Sequence, residues 1–245
     1  NCKDESVRME YDALARFFRA YFYFEKVKRF GDVPWYDRQL GSADPELYKP
    51  RDSREFVMQK MIEDIDYAIK YLPSGKSLYR VTKWTALALK SRFCLFEGTF
   101  RKYHEYRETI YPEYDWKWYL EQCVLASEEF MNTSGYGIYS ADGPDKSYLN
   151  LFASENAIAQ EVILARDYNI ALNVVHSANY YTLSSSRPGL SKKIVNSYLK
   201  ADGKRFTDEL NYDKMTFVEE CRDRDPRLAQ SIRTPGYTRI GSSVK

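Results

Sequence analysis

Histidine is nearly absent. His104 and His176 are the two in 245 residues, and they lie far apart. The four cysteines, Cys2, Cys94, Cys123 and Cys221, show no Cys-x-x-Cys spacing. Both absences argue against a zinc site and against histidine-dependent catalysis. There is no GxSxG, P-loop, dinucleotide fingerprint or HExxH. The neighbouring carboxylates Glu128/Glu129 and Glu219/Glu220 point in different directions on a helix, so neither couple is a glycosidase pair by itself. Asp142-Gly143-Pro144-Asp145 lacks EF-hand spacing and reads as a turn. The expectation is therefore a chain that is not an enzyme, with no cofactor and no metal. Charge of one sign is also lacking: the net charge is +2 with 29% charged residues. The basic residues are spread along helices, so nucleic acid is not an expected partner. No stretch reads as a signal peptide, a lipid-attachment motif or a transmembrane helix.

What is abundant is aromatic: 22 Tyr, 13 Phe and 4 Trp. Phe belongs to cores, whereas Tyr carries a polar tip and suits a boundary or a wet binding face. Cys94 lies in a helical apolar run and reads as a small buried hydrophobe. Cys123 reads similarly, and the sequence leaves a Cys94–Cys123 disulfide open.

The periodicity predicts a mostly α fold of stacked helical hairpins, tetratricopeptide-like, with a loop-rich extension. Residues 1–139 form the helical scaffold and 140–245 the extension, as parts of one domain. The first helix covers about residues 6–30, with Leu14, Phe17/Phe18, Tyr21/Phe22, Phe24 and Val27 on a wide apolar face. That face asks for helices on both sides. Gly31 and Pro34 stop it, and Trp35 and Tyr36 read as a structural staple. A second helix covers about Ser53 to Leu72, entered by the capping-box-like Asp52-Ser53-Arg54-Glu55. A third starts after Thr82 as N-cap and runs to about Tyr103, and Trp84–Leu89 asks for cover on two sides. A fourth spans about Trp116–Thr133 and closes at Gly135. Beyond Tyr139 the period weakens. Ala159–Asp167 reads as a strand or short helix, and 168–191 as a long loop with strand character at Asn173–Val175. Ser191 caps a helix over Lys192–Lys200, Thr216 and Glu219 form a capping box, and Arg224-Asp225-Pro226-Arg227 reads as an ion-pair knot.

Two aromatic clusters are candidate binding surfaces. Sugar rings stack their C–H faces on aromatics while their hydroxyls meet Asn, Asp or Arg. Asn179, Tyr180 and Tyr181, with Arg187 downstream, offer this in the long loop, the place where function concentrates on a rigid scaffold. Trp116 and Trp118 offer it at the mouth of the fourth helix. Two positions apart, they cannot share a helical face, so one is expected to pack while the other is exposed.

Several segments, in order, resemble the SusD/RagB family. They are Arg19-Ala20-Tyr21-Phe22-Tyr23-Phe24 with Gly31-Asp32-Val33-Pro34, and Asp64-Ile65-Asp66-Tyr67-Ala68-Ile69 through Leu72-Pro73. Next come Arg80-Val81-Thr82-Lys83 through Ala86-Leu87-Ala88-Leu89-Lys90-Ser91-Arg92, and Tyr148-Leu149-Asn150-Leu151-Phe152 followed by Glu161-Val162-Ile163-Leu164. The last is Arg224-Asp225-Pro226-Arg227-Leu228. The resemblance implies a helical-repeat fold and a cell-surface, outer-membrane lipoprotein. Such a protein binds an oligosaccharide or polysaccharide and passes it to a SusC-type TonB-dependent transporter. Family members are longer, so the resemblance also implies that this is an internal piece of a larger protein, its lipid anchor not present in this chain. A peptide-binding RagB-like protein and a generic helical-repeat interaction scaffold are the alternatives. The matching segments are scaffold segments and carry no ligand residue with them.

Overall fold

The computed structural model describes residues 3–106, 109–182 and 189–237. The protein is mostly helical, and among the described residues β-structure is limited to isolated bridges such as Val33 with Asp52. The chain divides into two compact units, Asn1–Gly137 with Ile163–Ala165, and Ile138–Val162 with Arg166–Lys245.

The first unit holds α1 (Glu5–Phe30), α2 (Arg54–Tyr71), α3 (Lys83–Tyr103) and α4 (Trp116–Thr133). Each packs antiparallel on the one before it. Arg19 near the middle of α1 holds Asp64 of α2 with two bonds of 2.6 Å. Arg54 at the start of α2 meets Glu97 late in α3, and Ser91 of α3 meets Ser127 of α4 at 2.8 Å. Asp4 caps α1 by accepting from the Ser6 and Val7 amides. Gly31, with φ 66°, ends it while its amide donates to the Val27 carbonyl. The turn after α1 folds back as expected. Trp35 is buried against Tyr23, with ring centroids 4.2 Å apart, and the Tyr23 hydroxyl accepts from the Tyr36 amide at 2.6 Å.

One helical face differs from expectation. Ala13, Phe17, Ala20, Tyr23, Phe24 and Val27 are buried, whereas Phe18, Tyr21 and Phe22 stand about half exposed. α1 is covered on one side within this chain, not on two. The central helix α3 meets the stronger requirement: Trp84, Thr85, Ala86, Leu87 and Leu89 are all buried between α2 and α4. α4 passes close over Gly98, where a Cβ would lie 2.8 Å from a Leu120 methyl.

The entry to α2 is not a capping box. Ser53 caps it, accepting from the Phe56 amide at 3.2 Å, and the Asp32 carboxylate accepts from the Arg54 amide at 2.8 Å. Glu55 is buried and accepts instead from the Thr109, Ile110 and Tyr111 amides, each at 2.9 Å. The buried group is Glu55 itself, and its carboxylate is satisfied by these distant loop donors rather than by a local one. Burial pushes the Glu55 carboxyl up, yet these hydrogen bonds together outweigh it and hold the group below its ordinary range. Cys94 is buried and Cys123 half-buried, both as free thiols, and burial pushes the Cys94 thiol well up.

The second unit carries α5 (Ser147–Ala153), α6 (Ala178–Tyr180), α7 (Lys192–Ser197), α8 (Phe217–Glu220) and α9 (Pro226–Ser231). The capping box of Thr216 with Glu219 forms as expected. Ser191 caps a helix that stops at Ser197, short of Lys200, because Leu199 and Lys200 leave it to bridge Arg205 and Arg224. Arg224 is not part of an ion-pair knot. It is buried with its guanidinium over the Phe206 ring at 3.8 Å, and it donates to the carbonyls of Glu220, Val195 and Tyr198 at 2.7–2.8 Å. The ion pair is between Asp225 and Arg227. Residues 159–167 form neither strand nor helix. Ile163 leaves the second unit's fold to pack against Trp84, Leu87 and Ala126, and the Ala165 amide donates to the Leu78 carbonyl.

Candidate functional site

The Trp cluster sits in the first unit at the loop leading into α4. Glu55 fixes residues 109–111 of that loop, and Arg101 Nη1 donates to the Tyr114 carbonyl at 2.8 Å. Asp115 then caps α4 by accepting from the Trp118 amide at 2.9 Å. Neither indole is exposed, as one of them was expected to be: both are half-buried. Trp118 packs edge-on to Tyr114, centroids 4.5 Å apart, and against the core. Trp116 is half-buried, with the Lys102 ammonium 4.7 Å and the Lys117 ammonium 5.5 Å from its ring. A cation over an aromatic face occupies the surface a sugar would stack on.

The tyrosine cluster lies in the second unit. Asn169 accepts from the Ala171 and Leu172 amides, and its amide and carbonyl pair with Val174. Asn173 takes a left-handed conformation at φ 55°, and the expected strand character reduces to that bridge. His176 Nδ1 accepts from the Ala178 amide at 3.1 Å and starts the single turn of α6. Asn179 and Tyr180 belong to this turn. Tyr180 is 61% exposed and Tyr181 56% exposed, with rings edge to face at 5.4 Å. Neither hydroxyl has a hydrogen-bond partner among the described residues. Arg187 lies outside the described residues. Tyr180 and Tyr181 belong to one unit and the two tryptophans to the other.

Sequence reasoning missed a third aromatic surface. Tyr139, Tyr148 and Arg227 line a groove of 570 Å³ within the second unit. Tyr148 and Arg227 stand in segments read as scaffold, and no local signal links them. Two carboxylates of this region are held ionised. The Tyr139 hydroxyl and the Asn150 amide keep Asp142 below the usual carboxylate range, and Arg227 does the same for Asp225. Among the described residues no group of His, Cys, Asp and Glu could hold a metal ion, and no helix is long and apolar enough to cross a membrane.

A stack of antiparallel helices in the first unit and an aromatic-bearing, loop-rich second unit define a helical-repeat fold. Comparison with known families makes this specific. A SusD-like model, described as starch-binding associating with outer membrane, matches residues 2–95, and the SusD family model matches residues 150–243. The chain belongs to the SusD/RagB family. Its fold is similar to that of a SusD-like protein from Bacteroides fragilis NCTC 9343, with a TM-score of 0.63 and 21% identity over 93% of this chain and 43% of that one. A SusD-like carbohydrate binding protein from the same organism gives 0.67 and 20% identity over 94% of this chain and 41% of that one. A protein solved with xylogluco-oligosaccharide gives 0.52 and 22% identity over 68% of this chain and 31% of that one. At these identities the likeness speaks for the fold. The chain spans less than half the length of each of these proteins. No curated protein matches the sequence.

Proposed function

We propose that this chain is the helical scaffold (1–139) and ligand-bearing extension (140–245) of a cell-surface protein at the outer membrane that captures an oligosaccharide or polysaccharide. The observation that carries this reading is the exposed Tyr180/Tyr181 pair, whose rings meet edge to face in a loop tied down by Asn169 and His176. The starch-binding family model, the relative solved with xylogluco-oligosaccharide and the relative described as carbohydrate binding support a glycan as cargo. In this reading the protein makes and breaks no covalent bond. It holds its cargo weakly enough to release it to a SusC-type TonB-dependent transporter, and a lipid anchor outside this chain keeps it at the surface. Asn179 and Arg187 serve the same site as hydrogen-bonding groups, and Trp116 is a secondary platform, with Trp118 acting through packing.

Affinity electrophoresis through gels containing single soluble polysaccharides tests this. The protein is expected to be retarded by one glycan class, and the Tyr180→Ala/Tyr181→Ala variant to run freely. Equal migration of both proteins in every gel would remove the assignment.

A second reading has its own observation. A groove of 440 Å³ runs beside α1, lined by Tyr11, Leu14, Phe18 and Tyr79. Its walls are mixed, with Glu10 and Arg80 beside the aromatics; a groove along a helix suits a peptide or protein segment, so peptide cargo or a protein-docking role would be served there. Retention on immobilised peptides, with none on glycans, would favour it.

A further inference from the structure

The groove of the second unit is bounded by the turn at 138–144, by α5 and by α9, and its 570 Å³ falls within the range of about 300–1,000 Å³ usual for small-ligand sites. Its walls are fixed to one another. Gln230 of α9 donates to the Pro144 carbonyl at 2.8 Å and accepts from the Leu149 amide of α5 at 2.9 Å. Ser147 accepts from the Asp142 amide at 3.0 Å, and Glu161 from the Tyr139 amide at 2.6 Å. A site held this way loses little freedom on binding.

Its lining pairs an aromatic platform with a planar polar group. Tyr148 is half-buried at the wall, edge to face with Phe152 at 5.1 Å. Beside it Arg227 is exposed. Its Nε and Nη2 hold the Asp225 carboxylate at 2.9 and 2.5 Å, and its Nη1 has no acceptor among the described residues. The Asp225 carboxylate is also engaged by the Arg227 backbone amide at 2.9 Å, so the pair presents a free N–H edge at fixed spacing and without net charge. A pyranose hydroxyl oxygen can accept from that edge, while the C–H face of the sugar suits the ring of Tyr148. An adjoining hollow of 270 Å³ shares Tyr148, Asp225 and Arg227 and continues to Tyr198, whose hydroxyl bonds Ser231 at 2.8 Å. A groove that runs on past the polar pair suits a chain of sugars better than a single ring. The carboxylates of Glu161 and Asp225 line it, and Arg227 is already paired, so a neutral saccharide fits better than a uronic acid.

We infer that Tyr148, Asp225 and Arg227 form a neutral-oligosaccharide subsite between α5 and α9, separate in sequence from the Tyr180/Tyr181 surface; this rests on the glycan reading above. Calorimetric titration of the intact protein with xylogluco-oligosaccharide and with maltoheptaose tests it. Tyr148→Ala and Arg227→Ala are each expected to weaken the bound probe about tenfold or more. Tyr148→Phe, which keeps the ring, is expected to stay close to wild type. Arg227→Lys, which keeps the charge and loses the fork, is expected to follow Arg227→Ala. Circular dichroism melts separate these losses from misfolding. Undiminished affinity in Tyr148→Ala and Arg227→Ala, with binding lost in Tyr180→Ala/Tyr181→Ala, overturns the subsite and leaves the glycan reading in place. A wild-type protein that takes up neither probe, or that binds peptide instead, overturns both.

Discussion

Arg54 of α2 and Glu97 of α3 face one another inside the core. Arg54 Nη2 lies 2.6 Å from Glu97 Oε2, and Nε lies 3.0 Å from both carboxylate oxygens. Arg101 reaches the same carboxylate at 2.8 Å. Glu97 is fully buried and Arg54 nearly so. Such a cluster is a weak source of net stability but a severe liability once broken, because the remaining charge stays desolvated. Glu97→Ala is expected to cost about 3–5 kcal/mol, read as a lowered urea midpoint. A loss well under 1 kcal/mol would mean that Arg54 finds water or another acceptor.

Glu55 gives a pH signature. Its folded carboxyl is held below the ordinary value of 4.5, so its ionised form stabilises the fold fully at neutral pH. That contribution drains away as pH falls from about 4.5 through the lowered folded value. Glu55→Gln is expected to lower stability by about 1–3 kcal/mol at pH 7, since an amide cannot accept from all three loop N–H groups, and to flatten the acid limb of the stability curve. Urea melts from pH 7 to pH 3 measure both effects. A variant whose acid limb matched the wild type would show that other carboxylates govern it.

Gly98 sets two effects against each other. Alanine in a helix interior gains about 1 kcal/mol over glycine. The new methyl would meet Leu120 at 2.8 Å and the Trp116 carbonyl at 3.1 Å, and overpacking of that kind costs about 1–3 kcal/mol. Gly98→Ala is therefore expected to lower stability by roughly 1 kcal/mol and to alter Trp116 fluorescence. A stabilised variant would show that Leu120 yields freely.

Arg224 is the pin of the second unit, with three close carbonyls gathered on one guanidinium. Lysine cannot reproduce that planar fork. Arg224→Lys is expected to cost about 1.5–3 kcal/mol and to raise hydrogen exchange in residues 195–206 and 220–228 while leaving α2 and α3 protected. Uniform protection across the chain would refute the pin.

The helices of the first unit were legible because each is specified locally. Asp4, Ser53, Thr82 and Asp115 cap them, Gly31 and Gly135 end them, and periodic apolar residues mark the packed faces. Where the sequence reading failed, a distant partner had outcompeted a local pattern. Glu55 looked like half of a capping box but serves a loop far along the chain, and Arg224 looked like one member of a charge knot but gathers carbonyls. The Tyr180/Tyr181 pair could be read from composition alone, since it needs no partner to stand exposed. Tyr148 and Arg227 could not, because Gln230 and the contact of α5 with α9 bring them together.

The most direct test of the account is a calorimetric titration of the intact protein with a panel of neutral oligosaccharides and, in parallel, with peptides of matched length. The account predicts heat from one glycan class and none from the peptides, with the glycan signal lost in Tyr180→Ala/Tyr181→Ala. Binding of peptides alone, or glycan binding untouched in that variant, would contradict it.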